Sequence, residues 1–188
     1  MPAADTSFAP IHAFTARWEG GYADHPADAG GPTHHGVSLR WLKSIGQAGD
    51  VDGDGDVDEA DIRALTPDAA ARLFYDRFWQ PLKCGRLPFA VAACLYDAAI
   101  NCGPGQAVRF AQRAANRTRA ADLAVDGKLG PLTLRQLMRG GAGLAGAMLE
   151  EREAFYRRLV AQKPSQAVFL AGWLNRVDAL RQFLGLGL

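Results

Sequence analysis

Glu19, Asp28 and Thr33 are the side chains whose types and spacing suit bond-breaking chemistry. Apolar residues Phe8, Ile11, Phe14 and Trp18 recur at helical intervals and predict a helix that Gly20 and Gly21 bring to an end. Glu19 therefore stands at the helix C-terminus. There the negative end of the helix dipole disfavours a carboxylate and favours the protonated acid. A carboxyl kept neutral near pH 7 is what general acid catalysis requires. The following Asp28-Ala29-Gly30-Gly31-Pro32-Thr33-His34-His35-Gly36-Val37 is turn chemistry. It predicts a short hairpin or ordered loop over 22–38 that sets Asp28 and Thr33 across a cleft from Glu19. Asp24 is a rival for the second carboxyl. His34 and His35 do not read as a metal pair, because neighbouring side chains on a strand point to opposite faces.

A second constellation is Asp50-Val51-Asp52-Gly53-Asp54-Gly55-Asp56-Val57-Asp58-Glu59-Ala60-Asp61. With Asp50 as the first position, this is the pattern of an EF-hand calcium loop. Asp50, Asp52, Asp54, Asp58 and Asp61 fall at ligand positions, Asp56 supplies a backbone carbonyl, and Gly55 sits where the sharp turn is needed. Calcium takes six to eight hard oxygens, and this spacing converges them. The expectation is a structural Ca2+ held by Asp50, Asp52, Asp54, Asp56, Asp58 and Asp61, and the alternative is a solvated acidic loop. Asp61 stands where a Glu is usual, as in the dockerin-type loops this stretch resembles.

The elements that must position these groups read as helices. Thr66-Pro67-Asp68 is a helix start, with an N-cap Thr, Pro in the first turn and an acid beside it. Phe74 and Phe78 read as core, and Tyr75 or Trp79 as an aromatic face open to a ligand. Residues 88–101 form an apolar, buried helix, and Asn101-Cys102-Gly103-Pro104-Gly105 ends it and opens another. Asn101 would orient a ligand or cap a helix. Val125-Asp126-Gly127-Lys128-Leu129-Gly130-Pro131-Leu132-Thr133 is a turn leading into a helix over 131–139. A glycine-rich break over 140–146 follows. Two final helices divide at Pro164, with Ser165 as the cap. Arg152 and Arg176 are candidate buried or cleft charges.

The 188 residues suffice for one domain or two small lobes, and a 48% hydrophobic content is that of a globular chain. No apolar run is long enough to span a bilayer. The first residues lack a basic and apolar leader, so the expected route is synthesis in the cytoplasm without a Sec signal. Release by a holin or secretion system would then carry the protein out to the periplasm. Three cysteines, Cys84, Cys94 and Cys102, suit reduced buried thiols, with a Cys94–Cys102 bridge left open. Residues 1–82 hold six basic and thirteen acidic side chains, residues 83–188 fifteen and seven. The basic half favours an anionic polymer; no nucleic-acid motif accompanies it, so nucleic acid is not an expected partner.

The string from Glu19-Gly20-Gly21-Tyr22 to His35-Gly36-Val37, with Glu19, Asp28 and Thr33, resembles the glycoside hydrolase family 108 lysozymes. "LFYDRFWQPL", Leu95-Tyr96-Asp97 with Asn101, and the C-terminal Pro164-Ser165-Gln166 to Arg176 pattern are similar to the same family, so the resemblance runs from about Ile11 to Phe183. The 125–133 turn resembles the signature of helical peptidoglycan-binding modules. The resemblance implies a mainly α, lysozyme-like helical fold with a small β-hairpin and an inserted EF-hand-like loop. It implies a catalytic lobe over 8–101 with the insertion at about 50–61, and a peptidoglycan-binding-like lobe over 102–185. The implied activity is cleavage of the β-1,4 bond between N-acetylmuramic acid and N-acetylglucosamine by a monomer. Glu19, Asp28 and Thr33 would be catalytic, and Tyr22, Tyr75, Trp79 and Asn101 would bind substrate. The calcium loop is no part of the family pattern. A non-catalytic wall-binding protein, a calcium-dependent dockerin-like module and a lytic transglycosylase remain alternatives.

Overall fold

The computed structural model describes residues 6–19 and 32–187. By contacts the chain falls into two compact units: Ala9–Arg77, and the residues from Phe78 onward together with the chain up to Phe8. The sequence reading ended its first lobe at residue 101, later than this division.

The first unit holds α1 (Phe8–Ala16), β1 (Thr33–His34), β2 (Val37–Ser38), α2 (Leu39–Ser44), α3 (Glu59–Ala64) and α4 (Pro67–Phe74). Ile11 and Phe14 bury one face of α1, and Val37, Leu42, Ile62, Leu65, Ala70 and Phe74 supply the rest of a small core. Trp18 does not complete the apolar stripe. Helix α1 ends at Ala16, and Trp18 lies past it, 37% exposed. Strands β1 and β2 pair antiparallel with Thr33 opposite Ser38 and His34 opposite Val37. Their two-residue turn is His35-Gly36, at φ 50° and 78°. Positive φ at both central positions matches the twist of a tight hairpin, and Gly36 reaches it without a Cβ penalty. Ser38 then caps α2 by accepting from Trp41 N, and Thr66 caps α4 by accepting from Ala69 N, with Pro67 in the first turn. Past Phe74 the helix widens into a π-helical turn, Tyr75–Trp79.

The second unit is built from α5 (Phe89–Cys102), α6 (Pro104–Arg119), α7 (Pro131–Met138), α8 (Ala142–Gln162) and α9 (Ala167–Phe183). Residues Val91 to Ala99 of α5 are all buried, and α5, α6 and α8 pack on one another, with α9 on α8. Gly103, at φ 85°, closes α5 and opens α6. The glycine-rich break is shorter than the sequence reading placed it. Helix α8 starts at Ala142 and runs through Gly143 and Gly146. Burial of Leu144, Ala145, Ala147, Met148 and Leu149 on that face outweighs a helix cost of about 1 kcal/mol per glycine. Helices α8 and α9 divide at a short 3-10 turn, Pro164–Gln166; the residue before α9 is Gln166, and no side chain caps it, so Ser165 is not the cap. Cys84, Cys94 and Cys102 are all free thiols.

Candidate functional site

Glu19 follows α1 by one further turn: Trp18 N donates to Thr15 O and Glu19 N to Ala16 O, at 3.0 and 3.2 Å. The carboxyl oxygen Oε1 is buried. The hairpin turn is packed onto this side chain. A Cβ built on Gly36 would stand 2.6 Å from Glu19 Cβ, 3.1 Å from its Cγ and 3.6 Å from Phe74 Cζ. The hairpin is itself tethered: His34 Nδ1 donates to Ile62 O of α3 at 3.1 Å, which fixes that ring nitrogen as the protonated one. Phe74, against Gly36, is sandwiched by Trp41, stacked at 5.6 Å, and by His12 at 5.5 Å. Burial pushes the His12 imidazole below its ordinary pKa, so it stays neutral under the hairpin.

Sequence spacing gives no sign of this contact between Gly36 and Glu19, which lie seventeen positions apart. It carries a strong expectation. Gly36→Ala adds a clash against Glu19 to a backbone that L-residues rarely adopt. Gly46→Ala adds the same kind of backbone strain, at φ 63°, with nothing within 4 Å of the new methyl. Displacement of a reacting group by about 1 Å costs on the order of 100-fold in rate. Gly36→Ala should therefore lower any turnover that depends on the Glu19 carboxyl by about that factor while Gly46→Ala stays near wild type, read from the activity of the two folded variants.

Thr33 sits half-buried in β1 on the same hairpin. Asp28, Tyr22 and Asp24 lie outside the described residues. His34 and His35 do not splay apart as two strand residues would. His35 is in the turn, and its positive φ brings its ring onto that of His34, stacked at 3.8 Å. Trp79 is no sugar platform. It is 1% exposed and wedged edge-on against Phe8 and Tyr96, at 5.3 Å from each, so it is core. Tyr75 is half-buried and Asn101 exposed. Asn101 does not cap a helix end; its Oδ1 accepts from the Tyr156 hydroxyl.

The acidic loop is folded by its own aspartates. Asp50 accepts from Gly53 N and Gly55 N, Asp52 from Asp54 N, and Asp54 from Asp56 N. Gly55, at φ 100°, makes the sharp turn. Carboxylate oxygens of Asp50, Asp52 and Asp54 lie within 4.8 Å of one another, as do those of Asp56, Asp58 and Asp61. Asp61 is 1% exposed. Burial raises its pKa, but N–H groups of Asp58, Val51 and Asp52 more than offset this and hold it low. The opposite holds for Asp56, which the Asp54 carboxylate pushes above the ordinary range.

Sequence reasoning missed Asp97. It is fully buried in α5 and joined to two arginines, Arg152 Nη1 at 2.6 Å and Arg176 Nη2 at 2.8 Å, themselves 1% and 4% exposed. Burial alone would raise the Asp97 carboxyl, but the two guanidinium groups outweigh it and hold the pKa below the usual range. An acid inside the apolar run Pro88 to Ile100 is the signal that was there to be used, because such a charge must find partners.

A buried-edge carboxyl fixed by a hairpin turn, within a mainly helical fold, defines a class once known proteins are set beside it. Residues 12–103 match the family described as Glycosyl hydrolase 108, and residues 106–178 match one described as Predicted Peptidoglycan domain. The chain is similar to SagA of Brucella abortus, with 27% identity over 96% of this chain and 95% of that one, at a TM-score of 0.74. No curated protein matches it. The protein is a peptidoglycan hydrolase, of glycoside hydrolase type. Within it, residues 12–103 are the part similar to the glycosyl hydrolase 108 family.

Proposed function

We propose that the bond cleaved is the β-1,4 link between N-acetylmuramic acid and N-acetylglucosamine, with Glu19 as the general acid. The observation that carries this is the packing of the Gly36 turn on the Glu19 side chain, which fixes one carboxyl at the end of α1. Glu19 delivers its proton to the leaving glycosidic oxygen as the sugar ring gains positive charge. Asp28 orients the attacking water or stabilises that charge, and Thr33 helps to hold the water; Asp24 is the rival second carboxyl. A carboxyl separation of about 6.5–9.5 Å would invert the anomeric centre and about 5–5.5 Å retain it. Tyr22, Tyr75 and Asn101 are the proposed substrate contacts. The test is a reducing-end assay on purified peptidoglycan. New reducing ends are expected; fragments released without them would make the enzyme a lytic transglycosylase, and no fragments would leave a wall-binding protein.

We also propose that Asp50, Asp52, Asp54, Asp56, Asp58 and Asp61 hold a calcium ion. The donors are all hard oxygens, the glycine turn is in place, and crowding already raises the Asp56 pKa, a repulsion that a cation relieves. The ion braces the loop and takes no part in the chemistry. At pH 7 a chelator should lower Tm by several degrees, since a ligand at 100 times its Kd contributes about 2.7 kcal/mol. The difference should shrink as falling pH protonates the loop and vanish in Asp50→Ala. An unchanged Tm with chelator would remove calcium from the account.

A further inference from the structure

The 125–133 turn of the second unit folds around one side chain, Gln112 of α6. Its amide nitrogen donates to Asp126 Oδ1 at 2.8 Å, Lys128 O at 3.2 Å and Thr133 Oγ1 at 3.3 Å, and its carbonyl oxygen accepts from Gly127 N at 2.9 Å. Asp126 also accepts from Lys128 N, and the Gln112 amide and that N–H keep its carboxyl ionised, below its ordinary pKa. Gln112, Asp126, Gly127 and Thr133 are thus consumed in building the corner. They do not explain the rest of it.

Gln112, Asp126 and Thr133 also line a cavity of about 310 Å³, together with residues that the corner does not use. Asp122 and Lys128 stand on its wall, both exposed, and neither charged group is held in a hydrogen bond or salt bridge among the described residues, although the Lys128 ammonium adds a weak pull on the Asp126 carboxylate. Leu132, 61% exposed, supplies apolar surface beside them. The rim is held in a costly shape. Ala120 and Asp122 both take φ 47°, a left-handed conformation that a residue with a Cβ seldom adopts. Asn116 fixes the segment by bonding Leu123 in both directions, accepting from its N at 2.7 Å and donating to its O at 2.8 Å. Strain held in place by dedicated bonds beside a cavity is the mark of a preorganised binding site.

The lining selects the ligand. It contains no aromatic side chain, so it offers no ring face on which a sugar could stack. It offers instead an ammonium and a carboxylate outside any salt bridge and an apolar surface, the complement of an amino-acid zwitterion on an aliphatic stem; the second acid on the wall, Asp126, is already engaged by Gln112 and by Lys128 N. We propose that this cavity binds the peptide stem of peptidoglycan rather than its glycan. Lys128 takes the carboxylate and Asp122 the ammonium at the free end of the stem's diamino acid, and Leu132 covers its methylenes. Choosing a wall peptide rests on the hydrolase reading above. A cross-linked stem, whose amino group is acylated, fits less well, so the site directs the enzyme to wall that is not yet cross-linked.

The probe is a synthetic tetrapeptide stem carrying meso-diaminopimelate, titrated into the full-length protein by calorimetry. Lys128→Ala and Asp122→Asn should each weaken binding at least ~10-fold, as loss of one charge-assisted contact does, with Tm near wild type because neither side chain gives up a hydrogen bond or salt bridge. The same peptide acylated on its free amine, or with lysine in place of diaminopimelate, should bind ~10-fold more weakly, each having lost one charge of the zwitterion. Peptide binding equal in wild type and both variants would overturn the proposal, as would peptide-free glycan strands losing affinity in the variants as much as the tetrapeptide does. The tetrapeptide contains no glycosidic bond. Normal wall cleavage without peptide binding therefore sinks this inference alone, and peptide binding without wall cleavage sinks the catalytic reading alone.

Discussion

Glu19→Gln should lower the rate of wall cleavage by about a thousandfold, within the 10²–10⁴ range a general acid contributes, and leave wall binding and Tm near wild type. Gln keeps the length and shape of the side chain, so the packing of Cβ and Cγ against the Gly36 turn survives. What it lacks is a proton to give. The split matters more than the size of the loss: a Glu19 that served only to position the hairpin would tolerate the amide. A variant with more than a tenth of wild-type turnover would place the acid elsewhere in the chain.

Asp97→Ala should be the most destabilising single change in the helical unit. Two buried arginines, Arg152 and Arg176, share this one carboxylate. Removing one partner of a buried charge group costs about 3–5 kcal/mol, because the remaining charges stay desolvated and uncompensated. For a chain of this size that is a Tm fall on the order of 10 °C. Asp97→Asn separates charge from shape and sets a pH test. The folded-state pKa of Asp97 is depressed, so its contribution is present above the ordinary carboxylate pKa and is lost as pH falls through the lower folded value. The Tm gap between wild type and Asp97→Asn should be widest near pH 6–7 and close in the acid range. A gap constant with pH would mean that Asp97 acts through packing alone.

The elements that sequence announced were those whose signals are local. Thr66 and Pro67 start α4, Gly103 and Pro104 join α5 to α6, Pro131 opens α7, and Pro164 parts α8 from α9, each through constraints on one or two residues. The small hairpin and the burial of α5 were equally plain. Arg152 and Arg176 were legible as buried charges, but their partner was not, because Asp97 meets them only after three helices pack. Trp79 misled for a related reason. Aromatic type and spacing are the same for a stacking platform and a core residue, and only Phe8 and Tyr96 closing on it decide. The stacking of His34 on His35 followed from one positive φ, invisible to a rule about strands. Glu19 could be singled out from its place at a helix end, whereas the glycine that holds it could not, because that contact joins distant positions.

Mass spectrometry of fragments released from purified peptidoglycan, with wild type and Glu19→Gln side by side, decides whether Glu19 is the acid of a muramidase. Disaccharide peptides ending in reducing N-acetylmuramic acid are expected from the wild type, and almost none from the variant. Anhydro-muramic ends, reducing ends on N-acetylglucosamine, or the same products in the same yield from Glu19→Gln would contradict that assignment.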